Sequence, residues 1–235
     1  MRNEFILIIS LFVLFSLTVL SGRFFGKGGL TGWIVTSTIL ANIEVIILVR
    51  AFGMEQTLGN ILFASTSLAT DIISEMYGQR EAKKAVYIGV AASAAFLLIS
   101  QSWVFYIPSP NDVAMPAFTA IFSNTPRVIL ASLIVYALAQ RFDVWLYYKI
   151  WDFTTKRFGD KKPGLWLRNN GSTLLSQLLN TVLFSLGAFL GIYEGGTLFS
   201  IIMSTYVIYI FTSLLGTPFM YLARKLISGR EVEKA

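Results

Sequence analysis

Long apolar runs, each close to the length of a bilayer crossing, follow one another along this chain and are separated by short polar breaks. A hydrocarbon core of about 30 Å takes about 20 apolar residues of helix. By that measure seven runs qualify: Phe5–Ser21, Leu30–Val49, Ile61–Tyr77, Ala85–Ile107, Val128 to about Tyr148, Ser172–Tyr193 and Leu198–Leu222. The first ends at the glycine and basic turn GRFFGKGG, and a polar break, RAFGMEQTLGN, follows the second. The fourth is closed by Pro108 and Pro110, and the last is expected to be interrupted at Gly216 and Pro218. The third is the most polar; if it is re-entrant, the count falls to six. The first run lacks a basic leader and a small-residue cleavage site, so it reads as a retained helix.

The sixth run carries a second pattern inside the first. On a helix, Thr173, Gln177, Asn180, Thr181 and Phe184 share one side, and Leu174, Leu175, Leu178, Leu179 and Val182 form the other. A soluble amphipathic helix would place Lys and Glu on its polar side. This one places uncharged amides and hydroxyls there, as suits a helix in lipid with a hydrogen-bonding interior face. Such groups either join helices or line a site for a polar solute. The density of amides favours the solute site for the stripe as a whole.

Composition agrees with this pattern. The chain is 55% hydrophobic and 14% charged over 235 residues, whereas soluble domains carry roughly 25% charged residues. The expectation is an integral membrane protein with one transmembrane domain over 1–235. Cysteine and histidine are both absent. That removes a disulfide framework, a thiolate nucleophile, the commonest general base and the commonest metal ligands. The net charge of +6 first reports topology. Basic residues collect at Arg23 and Lys27, at Arg80, Lys83 and Lys84, from Lys149 to Arg168, and at Arg224, Lys225, Arg230 and Lys234. The loop PSPNDVAMPAFTAIFSNTP and the turn at Glu194 have none. The alternation puts the basic loops and the C-terminus in the cytoplasm and, with seven spans, the N-terminus outside. It accounts for the basic loops without nucleic acid, and the expected location is the cytoplasmic membrane.

Charges inside apolar runs are costly and face an interior or pair with one another. Glu44 follows Asn42 in the second run, and Asp71 and Glu75 share a face of the third. Arg141 and Asp143 lie in the fifth, near Trp145, Tyr147 and Tyr148. One reading is a pocket with acceptors Glu44 and Asp71, amides Asn42, Gln101, Gln177 and Asn180, and aromatic stacking surfaces. The other is structural ion pairing, which applies best to Glu75, Arg141 and Asp143. Trp166, Arg168, Asn169 and Asn170 stand at the start of the sixth run, where Arg168 is expected to pair with Asp143 or Asp71. A pocket of this kind suits a planar, neutral heterocycle, because carboxylates and amides pair with base edges and aromatic rings stack on base faces. No Walker A sequence, H-E-x-x-H or G-x-S-x-G occurs. ATDI and RFDV lack the glycine-framed aspartate of membrane aspartyl proteases. The expectation is a protein that is not an enzyme and has no cofactor or metal.

The stretches ANIEV (Ala41–Val45), LGNILFASTSLATDIISEMYGQREAKKAV (Leu58–Val86), TPRVILAS (Thr125–Ser132), FDVWLY (Phe142–Tyr147) and LWLRNNGSTLLSQLLNT (Leu165–Thr181) resemble the queuosine precursor transporter family, also called the vitamin uptake transporter family. The likeness covers nearly the whole chain, and TD-x-x-x-E-x-YG with LWLRNN-x-ST is a specific combination. It implies uptake of a 7-deazaguanine, such as 7-cyano-7-deazaguanine, 7-aminomethyl-7-deazaguanine or queuine, for tRNA modification. It also implies an all-α, polytopic membrane helix bundle of six to seven transmembrane helices, similar to the substrate-binding components of energy-coupling-factor importers. The expected substrate contacts are then Asn42, Glu44, Asp71, Gln101, Asn170, Thr173, Gln177 and Asn180. Glu75, Arg141, Asp143, Trp166, Arg168 and Asn169 are expected in structural or coupling roles. Two positions depart from the family pattern: Asn180 stands where an Asp is common, and Gly216 precedes Thr217 and Pro218 where an acid often stands. Each change removes a charge. The expected partners are a 7-deazapurine and the lipid bilayer. A carrier acting alone, a capture subunit of an ATP-driven importer and a non-transporting scaffold are the competing functions. Homo-oligomerisation and an energising module stay open.

Overall fold

The computed structural model describes residues 2–44, 47–123, 126–159 and 164–232. Lys161, Lys162 and Lys234, three of the basic loop positions, lie outside them, as do Val45 and Thr125 of the family stretches. The first two apolar runs form α1 (Arg2–Glu44), and glycine decides its shape. Gly26 has φ 62° and ψ −145°, a conformation that only glycine adopts readily. A Cβ at Gly29 would lie 2.2 Å from the Ser21 carbonyl oxygen. The two halves therefore fold back on each other as an antiparallel pair. Asn3 Nδ2 donates to the Arg50 carbonyl (2.9 Å) and the Phe52 amide to Glu4 Oε1 (3.1 Å). Neither contact could form if α1 were straight and roughly 65 Å long.

The second run was expected to stay helical to Val49, but the helix ends at Glu44. Its last residues instead enter an antiparallel pair of β1 (Leu48–Ala51) and β2 (Met54–Thr57), with Val49 opposite Gln56 and Ala51 opposite Met54. Phe52 and Gly53 turn the chain with φ of 53° and 75°, the positive values that a two-residue hairpin loop requires. The polar break is thus a small hairpin capping one end of the bundle.

Five longer helices and one short one follow. They are α2 (Gly59–Tyr77), α3 (Gln79–Trp103), the short α4 (Met115–Phe122), α5 (Pro126–Phe158), α6 (Leu165–Phe189) and α7 (Gly195–Val232). With both halves of α1 counted, each apolar run has its helix, and the fold is an all-α bundle. Four described helices are long and apolar enough to cross a membrane: α1, α3, α6 and α7. The reason α2 falls short is its place. It packs against α1, α3, α5 and α7, and every residue from Ala64 to Ser74 is buried. A helix enclosed by helices meets little lipid and can carry hydroxyls and an acid. The exposed apolar side chains sit on the outer helices, Phe5 and Phe12 on α1, Leu98 on α3 and Phe211 on α7. The bundle core is Phe15, Val19, Leu30, Ile34, Ile72, Ile73 and Ala223.

Several boundaries differ from the sequence reading. The sixth helix starts at Leu165, not Ser172, so Arg168, Asn169 and Asn170 belong to its first turns. The fifth runs about ten residues past Tyr148, and the fourth starts at Gln79. Their charged ends extend the helices beyond the apolar stretch, which hydropathy alone cannot mark. The seventh is continuous across Gly216 and Pro218. Asn170 explains why. It accepts from Ser213 Oγ (2.9 Å) and donates to Thr217 Oγ1 (2.8 Å), one helical turn apart on α7. That clamp straddles the place where Pro218 lacks an N–H, and Gly216 lets Phe15 pack close, 3.7 Å from where a Cβ would stand.

The antiparallel order gives the bundle two ends. One carries the start of α1, the hairpin, α4 and the 190–194 turn. The other carries Gly26, the α2–α3 junction, the end of α5, the start of α6 and Arg224. Lys27 pairs with Glu81 across this second, basic end (3.2 Å).

Candidate functional site

Three helix faces converge in the middle of the bundle. On α2, Ala64, Ser67, Leu68 and Asp71 recur at helical spacing; on α6, Asn169, Thr173 and Gln177; on α7, Tyr209, Thr212, Ser213 and Gly216. With Phe15 from α1 they enclose a tight cavity of about 20 Å³, enough for one water. Asp71 is its most consequential member. Its side chain is buried, Oδ2 accepts from Thr173 Oγ1 (3.1 Å), and Oδ1 has no hydrogen-bond partner among the described residues. Asn169 Oδ1, on the same cavity, is buried and equally without a partner. Gln177 Nε2 donates to Ser67 Oγ (3.0 Å), tying α6 to α2 across the cavity. Buried polar atoms in native proteins nearly always have partners. Two such acceptors on residues that line one cavity, both unpartnered among the described residues, mark a place where donors of a ligand would fit.

A second, larger space lies on the hairpin side. It measures about 300 Å³ and is bounded by Asn42 (α1), Asn60 and Phe63 (α2), Ser132 and Tyr136 (α5), Asn180, Thr181, Phe184, Ser185 and Phe189 (α6), and Thr205 and Tyr209 (α7). The polar stripe of α6 therefore runs past both spaces, from Asn169 to Ser185, roughly 24 Å of helix. Tyr209 borders both, and its hydroxyl donates to Asn60 Oδ1 (3.2 Å).

Below Asp71, one turn along α2, Glu75 gathers three other helices. Arg168 of α6 grips it with Nε to Oε2 (2.8 Å) and Nη2 to Oε1 (2.6 Å). Tyr147 of α5 donates to Oε2 (2.8 Å), and Arg224 of α7 stands 3.6 Å from Oε1. The Arg168 guanidinium also lies over the Trp151 ring, 4.4 Å from its centroid. The expected partner of Arg168 was Asp143 or Asp71, and the structure gives Glu75 instead. The two acids share a face of α2, but only Glu75 is level with the first turns of α6.

The structure places the other expected residues as follows. Asn42 borders the larger, hairpin-side chamber with its amide bonded to the Thr38 carbonyl and Ser93 Oγ (both 2.8 Å). Asn180 borders it too, donating to Gln177 Oε1 (3.4 Å). Glu44 is half-buried at the hairpin end of α1 and borders neither space, so it does not share a pocket with Asp71. Gln101 joins α3 to the Phe122 carbonyl (2.6 Å), and the Asn170 amide is committed to α7. Asp143 is buried and accepts from Ser176 Oγ (2.8 Å), without a cation partner among the described residues. Arg141 and Trp166 are exposed. Sequence reasoning missed Ser67, Asn60 and Tyr209. The run Ser65-Thr66-Ser67 was a usable signal; nothing in the sequence set Tyr209 apart from other aromatics of the seventh run.

Residues 57–223 match the family model described as "Putative vitamin uptake transporter". A relative from Bacillus subtilis (strain 168), named "Probable queuosine precursor transporter", is 38% identical over 217 residues, covering 92% of this chain and 93% of its own. No solved structure matches.

Proposed function

This chain belongs to the vitamin uptake transporter family, a family of membrane transporters, and on that premise we propose that its cargo is a queuosine precursor, a 7-deazaguanine brought into the cell for tRNA modification. The observation that carries this reading is Asp71, a buried carboxylate in the lining of a cavity between α2, α6 and α7, with one oxygen unpartnered among the described residues. A guanine-like edge presents a ring N–H beside an exocyclic amino group, and one carboxylate accepts both. Asn169 Oδ1 offers a further acceptor and Gln177 an amide beside it. The name of the 38% identical relative points to the same cargo class.

The test is uptake by this chain alone, in a host that can neither make nor import the precursor. Each candidate base is supplied and queuosine is measured in tRNA. Queuosine appearing with at least one 7-deazaguanine is the expected result. No queuosine with any of them, from a chain shown to be inserted, overturns the cargo. Queuosine only when an ATP-driven module is co-expressed would make the chain a capture subunit.

We also propose that the hairpin end faces outward and the basic end the cytoplasm of a multi-pass protein of the cytoplasmic membrane. A reporter fused after Ala235 should be cytoplasmic and one at Asn111 external. An external C-terminus reverses the path.

A further inference from the structure

The inner cavity and the outer chamber are unequal, and the inequality has a consequence for how cargo binds. At about 20 Å³ the cavity beside Asp71 holds a water, while the outer chamber has about 300 Å³, the low end of ordinary small-molecule sites. The outer walls are aromatic: Phe63 and Tyr136 meet at 5.9 Å, and Phe184 meets Phe189 edge-on at 5.7 Å. Thr181 Oγ1 on its α6 wall is buried and has no hydrogen-bond partner among the described residues. None of the described residues bordering it is Asp, Glu, Lys or Arg. Between the two spaces stands Tyr209, bonded to Asn60.

We propose that the outer chamber is a binding station of its own, for an uncharged planar heterocycle, from which the base passes Tyr209 to reach Asp71. The proposal rests on the reading of the cargo as a 7-deazaguanine. Aromatic walls accept the face of the ring, and Thr181 and Asn180 meet its polar edge. With no charged group among the described residues of its walls, an ammonium substituent would lose hydration there without gaining a counter-ion. The station therefore selects neutral bases before the acid of the inner cavity is engaged.

The experiment uses the full chain in lipid nanodiscs, with 7-cyano-7-deazaguanine as the neutral probe and 7-aminomethyl-7-deazaguanine as the cationic one, and calorimetry as the readout. Asp71→Asn should still bind the neutral probe, because the resting protein holds it in the outer chamber. In that background Thr181→Val should weaken binding roughly fivefold, the worth of one neutral hydrogen bond, and Thr181→Ser should restore it. The cationic probe should bind Asp71→Asn at least tenfold more weakly than the neutral one. If Asp71→Asn binds neither probe while the unsubstituted chain binds, there is no separate outer station. The station is equally overturned if Thr181→Val changes nothing in the Asp71→Asn background, or if the cationic probe binds as well as the neutral one. Failure of the unsubstituted chain to bind any 7-deazaguanine sinks the cargo reading, and the station with it.

Discussion

Asp71→Asn should insert and fold as the unsubstituted chain does and lose uptake of guanine-like bases. The size of the effect follows from the geometry. Asp71 Oδ2 already takes a bond from Thr173, and Oδ1 has no partner among the described residues. The substitution leaves one acceptor and replaces the other with an NH2 group, a donor placed against the donors of the base. An unpaired donor in a dry cavity costs about 1–3 kcal/mol, and about 1.4 kcal/mol is a factor of ten. A loss of at least tenfold in apparent affinity for a guanine-like base is expected. A purine analogue without the 2-amino group never offered both donors, so it should lose much less. Competition uptake with the two analogue types makes the comparison. Equal losses for both would show that Asp71 serves the fold or the coupling mechanism. No loss for either would remove it from the path.

The site was only partly legible in the sequence, for reasons the helices make plain. Periodicity within one helix is readable, and so the stripe Thr173, Gln177, Asn180 and Thr181 faces the interior as its spacing predicts. Contacts between helices are not. Asp71 and Glu75 lie on one face of α2, yet four residues separate an acid with an oxygen unpartnered among the described residues from one gripped by Arg168. Asn170 read as a ligand contact because amides are rare in apolar runs. Its partners are Ser213 and Thr217, 43 and 47 residues further on, at the place where Pro218 weakens α7. Asn169, its neighbour, read as structural; it lines the cavity and has an oxygen unpartnered among the described residues. The polarity of α2, which made it the least regular of the apolar runs, goes with its enclosure by other helices. Hydropathy measures what lipid would accept, and a helix at the centre of a bundle does not answer to lipid.

Arg168→Met should be the most damaging single change at the basic end. Arg168 is fully buried and Glu75 nearly so, and the substitution leaves a buried carboxylate with only Tyr147 and the longer, 3.6 Å contact to Arg224 in place of the two-point grip. Removing one partner of a buried pair costs about 3–5 kcal/mol, whereas replacing both is often close to neutral. Arg168→Lys should rescue incompletely, because an ammonium cannot reproduce the two-point grip or the stacking on Trp151. The double variant Arg168→Met with Glu75→Gln should recover most of the thermal stability in detergent, since no charge is then stranded and the amide still accepts from Tyr147. Uptake separates two roles for the pair. Glu75 ties α2 to α5, α6 and α7 one turn from Asp71, and on the proposed path cargo leaving the cavity toward the basic end passes this junction. If the pair opens and re-forms in each cycle, the stable double variant stays below about a tenth of normal uptake. Uptake restored along with stability would confine Glu75 and Arg168 to holding the helices together.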